Sequence, residues 1–306
     1  MISFIIRRVI ETIPTLLIIA TVTFFMVRLA PGGPFSSEKS VSPEVLENLN
    51  EHYGLDKPIT TQYVNYLANI LKGNLGPSFK YPNRTVNELI GNSFPVSMQL
   101  GLLALIFALF LGLSAGIIAS LRSNSMADYV PMTFAMVGIC IPTFVVGPLL
   151  ALLFGLKLGW VNVSGWYSFS DRILPAITLG LPYAAYIARL SRSGMLEILP
   201  QDFIRTARAK GVPEWKIILK HALKGGLLPV VSFLGPATAG IITGSFVVET
   251  IFQVPGLGRH FINAAFNRDY TMVPGIALFY GSLMIVFNML VDITYAWLNP
   301  RIRLGE

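Results

Sequence analysis

Cysteine and histidine are scarce in this 306-residue chain, and each shortage excludes a class of site. The single cysteine, Cys140, allows no internal disulfide and no thiolate metal site, and we expect it to be a small buried side chain within a membrane span. The three histidines, His52, His221 and His260, lie outside the long apolar runs. They therefore supply no base for the G-x-S-x-G sequence Gly112–Gly116, which also lacks the strand-to-helix turn of a hydrolase. We predict no catalytic residue and no metal ligand.

A phosphate-binding loop is also missing. No G-x-x-x-x-G-K-[ST] sequence occurs anywhere in the chain. Such a loop holds the phosphates of ATP in many nucleotide-driven proteins. Any ATP-driven work must therefore be done by another chain.

Charged residues make up only 13% of the chain, whereas apolar residues make up 53% and the mean hydropathy is +0.63. This balance exceeds what a soluble core needs and indicates an integral membrane protein. A membrane helix takes about 20 apolar residues. Six runs of this kind lie near residues 9–29, 97–120, 130–154, 173–190, 229–251 and 272–297. We predict an all-α protein with six transmembrane helices.

Lys and Arg residues collect on one side of this predicted bundle. Arg7 and Arg8 precede the first run, seven basic residues lie between 192 and 224, and Arg301 and Arg303 follow the sixth run. Because cytoplasmic loops carry this excess, both termini are predicted to be cytoplasmic. The net charge of +7 then reflects topology, so no nucleic-acid partner is expected. The runs contain no series of carboxylates or histidines that suggests a proton relay.

The long loop from Pro31 to Pro95 shows helical patterns. One helix is predicted from Pro43 to Gly54 and a second from Ile59 to Gly73, because apolar residues recur at helical spacing and a glycine follows each. The capping-box pattern at Thr85–Glu88 predicts a third, short helix. The loop is either a lid over the spans or a docking surface for an external partner.

A polar, basic segment near residue 205 interrupts the apolar runs. Asp202 is predicted to cap a short helix, Gly211 to adopt the left-handed conformation after it, and Pro213 to begin a second helix. Ala207 and Ala209 permit close approach by another protein. The alternative is that the basic residues only set topology and contact lipid headgroups.

The helix after this corner is predicted to be amphipathic. One predicted face carries Trp215, Ile218, Leu219, Ala222 and Leu223, and another carries Lys216, Lys220 and Lys224. Such a helix is expected to lie on the inner membrane surface.

Small residues and prolines mark the membrane runs. Small residues recur every four positions at Ala104, Ala108, Gly112, Gly116 and Ser120, and again at Gly240 and Gly244. This spacing lets helix backbones approach closely. Prolines such as Pro142 are expected to kink or break their helices, either as static bends or where helices move.

The segment Arg205-Thr206-Ala207-Arg208-Ala209-Lys210-Gly211 resembles the coupling loop of permease subunits from bacterial ABC importers, in the form typical of peptide permeases. Arg205 and Thr206 replace the glutamate and alanine of the general motif. Five further segments resemble the B-type oligopeptide permease subunit: Phe4–Thr15, Arg28–Gly32, Ile141–Phe144, Val254–Gly258 and Asn267–Tyr270.

This resemblance implies a subunit of the bacterial inner membrane that pairs with a related second permease. It also implies two cytoplasmic ATPases, which hold the ATP and magnesium, and a periplasmic peptide-binding protein. Residues Arg205 to Gly211 would sit in a groove of an ATPase. The residues expected at the periplasmic mouth are Glu249, Pro255, Gly256, Gly258, Arg268, Asp269 and Tyr270. The alternative for the loop 254–270 is a tight connector.

The predicted organisation has three parts: a first transmembrane helix in residues 1–30, a periplasmic helical loop in 31–95, and a five-helix core in 96–306 that includes the coupling loop 191–228. The function expected from the resemblance is ATP-driven import of oligopeptides. Alternatives are a secondary transporter or channel without ATPase partners, or an ABC permease for dipeptides, glutathione or nickel chelates.

Overall fold

A computed structural model of the chain describes residues 2–35, 43–243 and 245–298. Within these ranges the regular structure is helical, apart from an isolated bridge between Pro77 and Thr85. The α-helices are α1 Ile2–Leu29, α2 Pro43–Tyr53, α3 Ile59–Leu71, α4 Val86–Leu121, α5 Met126–Cys140, α6 Thr143–Leu150, α7 Ser170–Ile198, α8 Asp202–Ala209, α9 Glu214–Lys216, α10 Leu223–Gly226, α11 Leu228–Thr243, α12 Phe246–Ile251, α13 Leu257–Phe266 and α14 Met272–Leu298. Two π-helical segments, Ala151–Lys157 and Ile217–Ala222, follow α6 and α9.

The chain forms two compact units. The first unit comprises Met1–Pro95 and Gly256–Ile285, and the second comprises Val96–Pro255 and Val286–Glu306. Arg301 and Arg303, which contribute to the predicted topology, lie outside the described residues.

Five helical segments among the described residues are long and apolar enough to cross a membrane, and a bent pair raises the number to six. The five are Ile10–Leu29, Val86–Leu121, Ser170–Ile198, Leu228–Ile251 and Met272–Val291. They agree with five of the six predicted spans. Each segment is identified as a candidate span by its length and its apolar composition.

The third predicted span is not one straight helix. It consists of Met126–Cys140 and Thr143–Lys157, which meet at an angle of 109°. Ile141 is extended, with φ −88° and ψ 121°, because the ring of Pro142 disfavours helical geometry in the residue before it. Cys140, expected to be buried, is exposed at the end of α5.

The helices of the long loop pack against the first span. Both α2 and α3 have their predicted positions, and Gly54 and Gly73 after them are left-handed, with φ of 66° and 73°. The rings of Tyr63 and Tyr66 in α3 each lie 5.2 Å from that of Phe24 in α1. Aromatic contacts therefore hold the long loop's helix α3 on α1.

The third helix predicted in the long loop is longer in the structure than the sequence indicated. The capping box is present, because Thr85 Oγ1 accepts the Glu88 N–H at 3.2 Å and Glu88 Oε2 accepts the Thr85 N–H at 3.3 Å. The helix that it begins, α4, then continues through Pro95 to Leu121. Proline removes only one backbone donor, and buried residues on both flanks, such as Ile90 and Leu100, keep the chain helical.

The predicted stripe of small residues in α4 faces α7. A Cβ atom added to Gly112 would lie 2.6 Å from the carbonyl oxygen of Ala184, and one added to Gly116 would lie 2.4 Å from that of Ala188. The two backbones are therefore in direct contact, as the spacing predicted. Ser114 lies within this helix, which is the wrong context for a hydrolase nucleophile. Gly244 of the second predicted repeat lies outside the described residues.

Candidate functional site

The sharp corner predicted near residue 205 is present, and Gly211 forms it. Gly211 has φ 72°, and its N–H donates to the Arg208 carbonyl at 3.0 Å. The Val212 N–H donates to the Ala207 carbonyl at 3.3 Å. These two bonds make a Schellman motif, which ends α8 with glycine at its left-handed position. We call residues 202–226 the corner segment.

Two helix starts in the corner segment differ from the prediction by one residue. The residue that precedes α8 is Gln201, which makes no side-chain capping bond, so the prediction of Asp202 as the cap is wrong. Asp202 instead occupies the first turn, where its charge is favourable beside the positive end of the helix. Pro213 precedes α9 rather than beginning it, with φ −63° and ψ 143°.

Helix α8 has one buried and one exposed side. Ile204 and Ala207, three residues apart, are buried in a cluster with Met195, Ile217 and Ala222. Ala207 is therefore turned into this chain, and of the two alanines predicted to permit close approach only Ala209 is exposed. The exposed residues of the predicted coupling loop are Arg205, Thr206, Arg208, Ala209, Lys210 and Gly211.

The residues of the apolar face predicted after the corner divide between two environments. Trp215 and Leu219 are 59% and 62% exposed, whereas Ile217 and Ala222 are fully buried. The cause is the π-helical winding of Ile217–Ala222, which replaces the α-helical four-residue hydrogen-bond spacing by five. The buried pair is accordingly five residues apart. Lysines 216, 220 and 224 are exposed, as the pattern predicted.

An ion pair that the sequence did not predict spans the corner. Arg208 Nη2 lies 2.6 Å from Glu214 Oε1, and Arg208 Nε lies 3.2 Å from Glu214 Oε2. Hydrogen bonds from Arg208 lower the pKa of Glu214, and the same contacts raise the pKa of Arg208. Both side chains are about half exposed, so the pair shapes the corner more than it stabilises the fold. Its six-residue spacing across a turn gives no helical signal.

The corner segment touches α7 without intervening side chains. A Cβ atom added to Gly194 would lie 2.1 Å from the Gly226 carbonyl oxygen, and one added to Gly226 would lie 3.2 Å from Met195 Cα. Only glycine permits these approaches. The corner segment and α7 are therefore joined backbone to backbone.

A second ion pair, between α5 and α7, was also missed. Arg192 Nε lies 2.5 Å from Asp128 Oδ1, and Arg192 Nη2 lies 2.7 Å from Asp128 Oδ2. Asp128 is 1% exposed. Arg192 entered the sequence argument only as a topology charge, and its partner lies 64 positions away, beyond any local pattern. The parallel fork geometry fixes α5 against α7.

Glu249, expected at the mouth, lies inside the second unit. It is fully buried in α12, where it accepts hydrogen bonds from the hydroxyls of Ser97, at 2.7 Å, and Ser245. A buried carboxylate needs such donors to offset the loss of water. The structure therefore gives Glu249 an internal role, which its position at the end of a run did not indicate.

Asp269, also expected at the mouth, is a buried hub of the first unit. It is 1% exposed. The groups that donate to its carboxylate are the Ser78 hydroxyl at 2.6 Å, the N–H groups of Phe79, Lys80, Thr271 and Met272 at 3.1, 3.3, 3.2 and 3.0 Å, and the Thr271 hydroxyl at 2.9 Å. These bonds tie the loop at 78–80 to the start of α14.

The remaining predicted mouth residues lie before, within and after the helix α13, which the sequence analysis did not predict. Gly256 precedes α13 and Gly258 is buried in its first turn. The helix was missed, although Leu257, Phe261 and Ala264 have helical spacing and lie in one apolar cluster. The other three residues are Pro255, which is exposed, Arg268, which has φ 54°, and Tyr270, whose hydroxyl lies 3.5 Å from the Gly32 carbonyl oxygen.

None of the described residues form a group of three or more His, Cys, Asp or Glu side chains placed to hold a metal ion.

Comparison of the fold with solved structures finds ABC transporters. A chain of the inward-facing MetNI methionine ABC transporter matches 69% of this chain and 96% of its own length, with a TM-score of 0.59 and 16% identity. A chain of an amino acid ABC transporter solved with histidines matches 68% of this chain and 94% of its own, with a TM-score of 0.53 and 20% identity. These likenesses establish the fold.

Comparison of the sequence is more specific. The oligopeptide transport system permease protein OppB of Salmonella typhimurium is 51% identical over 305 residues, which are 99% of this chain and 100% of that protein. The dipeptide transport system permease protein DppB of Bacillus subtilis is 42% identical over 306 residues, which are 100% of this chain and 99% of that protein. Residues 1–101 match the family described as the N-terminal part of binding-protein-dependent transport system membrane components, and residues 108–304 match the family of inner membrane components of these systems. The chain therefore belongs to the inner membrane components of binding-protein-dependent transport systems.

Proposed function

We propose that this protein is a transmembrane permease subunit of an ATP-driven importer for oligopeptides. The observation that carries the proposal is the 51% identity to an oligopeptide permease over essentially the whole length of both chains. The substrate named for the Bacillus subtilis relative makes dipeptides the second candidate.

The exposed side of α8 is the proposed contact with an ATPase. Arg205, Thr206, Ala209 and Lys210 face outward, while Ile204 and Ala207 anchor the helix. When the ATPases close on ATP, they displace α8. The contact of Gly194 with Gly226 then passes this displacement to α7, which changes access to the pathway.

The proposal includes an arrangement in the membrane. The corner segment and both termini are cytoplasmic, and residues 31–95 form a periplasmic cap beside the first transmembrane helix in 1–30. Residues 96–306 form the core, in the inner membrane of a bacterium. The partners are a related second permease, two ATPases that bind ATP and magnesium, and a periplasmic peptide-binding protein.

Gly211 provides the test of the coupling role. A Cβ atom at Gly211 meets no atom within 4 Å in the described structure, so a larger side chain there disturbs only the left-handed backbone or a partner. Gly211→Trp should abolish uptake of a labelled oligopeptide while the protein remains inserted and co-purifies with the second permease. Asn tolerates the left-handed conformation, so Gly211→Asn is the matched control and should retain most uptake.

Two results would contradict the proposal. Normal uptake by the Gly211→Trp variant would remove the coupling role from the corner. Solute movement by the purified chain alone, without ATP, would favour the secondary-transporter or channel alternative.

A further inference from the structure

A cavity of about 350 Å³ lies within the first unit, among α2, α3 and the loops at 74–79 and 270–271. Two segments that the coupling mechanism does not use meet there. Arg28 of the segment Arg28–Gly32 and Tyr270 of the segment Asn267–Tyr270 both line the cavity. The Arg28 Cζ atom lies 5.0 Å from the centre of the Tyr270 ring.

The guanidinium of Arg28 is held in place but has no acidic partner. Its Nε donates to Gln62 Oε1 at 3.2 Å, its Nη1 donates to the Phe24 carbonyl at 3.2 Å, and its Cζ lies 3.5 Å above the Phe24 ring. Among the described residues, Nη2 has no hydrogen-bond acceptor and no carboxylate lies within ion-pair distance. Partly buried charges are normally paired, so this one calls for an anionic ligand.

The neighbouring groups suit a peptide unit. Gln62 is fixed, because its Nε2 donates to the carbonyls of Leu55 and Lys57 at 3.2 and 2.9 Å. The side chain of Asn65 also lines the cavity and makes no hydrogen bond to the described part of the chain. A carboxamide offers both a donor and an acceptor, which is what the N–H and C=O groups of a peptide need.

Aromatic rings supply the remaining walls. The rings of Tyr53 and Phe79 lie 4.5 Å apart, and those of Phe79 and Tyr270 lie 6.1 Å apart. Aromatic surfaces accept side chains of varied shape without demanding a specific hydrogen bond. The cavity therefore combines the fixed cation of Arg28, the carboxamide of Asn65 and aromatic walls, and its lining also includes the charged residues Lys57 and Glu51.

We propose that this cavity binds the C-terminal carboxylate and the adjoining peptide unit of a short peptide, with Arg28 on the carboxylate and Asn65 on the peptide group. The volume lies near the lower end of small-ligand pockets, which span roughly 300–1,000 Å³, and suits the last residues of a peptide rather than a whole oligopeptide. This inference rests on the proposed function, because it names a second place at which the importer recognises its substrate class.

The test measures binding to the assembled importer in lipid nanodiscs without the binding protein. The probes are trialanine with a free carboxylate, trialanine amide, and acetate. Trialanine should bind about tenfold or more tightly than its amide, since the amide loses a charge-assisted hydrogen bond. Acetate should compete only weakly. Equal binding of the acid and the amide, or competition by acetate as strong as that by trialanine, would overturn the proposal.

Asn65→Asp tests the site without removing the contacts that Arg28 makes to Phe24 and Gln62. Both ligands lose the amide donor of Asn65, and only the acid also meets a second negative charge, so trialanine binding should weaken by about tenfold more than binding of the amide. The control is Thr61→Asp, which adds the same charge at an exposed position of α3 outside the cavity and should change neither. Unchanged trialanine binding by Asn65→Asp would also refute the site.

The two proposals fail in different ways. If trialanine and its amide bind equally while the wild-type importer takes up oligopeptides with ATP and binding protein, only the cavity proposal falls. If the wild-type importer takes up no peptide under those conditions, the proposed function falls whatever the cavity binds.

Discussion

The ion pair of the corner segment and the two acidic residues of the segment 249–271 have opposite environments. Arg208 and Glu214 in the corner are about half exposed, whereas Glu249 and Asp269 are at most 1% exposed and surrounded by donors. All four lie at or near helix ends or connections, so the sequence presents them alike. A charge in a connection can therefore reach a partner only when its own chain leaves it exposed.

Of the changes at these four residues, removal of the carboxylate of Asp269 should lower the stability of the protein most. Asp269→Ala leaves several buried donors at 78–80 and 271–272 without an acceptor, and each costs about 1–3 kcal/mol. The midpoint of thermal unfolding in detergent should fall strongly. Asp269→Asn keeps one acceptor oxygen, so its unfolding midpoint should fall less. An unchanged midpoint for the alanine variant would mean that Asp269 does not support the first unit.

Glu249→Ala should have the next largest effect, because it removes the buried carboxylate that accepts hydrogen bonds from the hydroxyls of Ser97 and Ser245. We expect a loss of about 2 kcal/mol in the free energy of unfolding. Ser97→Ala removes one donor and should cost less. If Glu249 faced the mouth, as the sequence predicted, the alanine variant would alter uptake at unchanged stability, and that result would reject the internal role.

The corner pair should contribute little to stability. A double-mutant cycle with Arg208→Ala and Glu214→Ala should give a coupling of less than about 1 kcal/mol, because both groups are partly solvated. Uptake measured on the same variants tests whether Arg208 has a role beyond the ion pair. If Arg208 also contacts the ATPase, Arg208→Ala lowers uptake more than Glu214→Ala does. Equal losses would limit Arg208 to shaping the corner.

The smallest effect concerns pH. Burial, with a minor contribution from Arg259, lowers the pKa of His260 below its usual value of about 6.5. The unfolded chain therefore takes up a proton first as the pH falls, and stability is lost below about pH 6.5. His260→Gln should flatten the dependence of the unfolding midpoint between pH 7 and pH 5. If the wild type and the His260→Gln variant show the same pH dependence, other groups cause it.

Sequence reasoning succeeded where one local pattern decides the structure. The apolar runs predicted the candidate spans, the α4 stripe predicted a close contact between helix backbones, and the glycines at 54, 73 and 211 predicted three helix ends. Each of these follows from hydrophobic burial or from the backbone freedom of glycine.

Sequence reasoning failed where contacts between distant residues or a change in helical winding determine the structure. Asp128 and Asp269 find partners 64 and about 190 positions away, which no window detects. The π-helical segment at Ile217–Ala222 shifts the buried face, because the periodicity argument assumes α-helical winding. The 109° bend depends on Pro142, whereas Pro95 leaves α4 continuous, so a proline alone does not predict a break.

The contact between α4 and α7 also constrains the order in which the protein is made. The ribosome completes α4 before it makes α7. The small-residue stripe of α4, which contacts the backbone of α7 at Gly112 and Gly116, therefore has no protein surface to pack against when α4 first enters the bilayer. Lipid or the insertion machinery must cover it meanwhile. The second unit can therefore close only after Ala188 has been synthesised, and a chain cut short before that point would carry the uncovered small-residue stripe of α4 into the membrane.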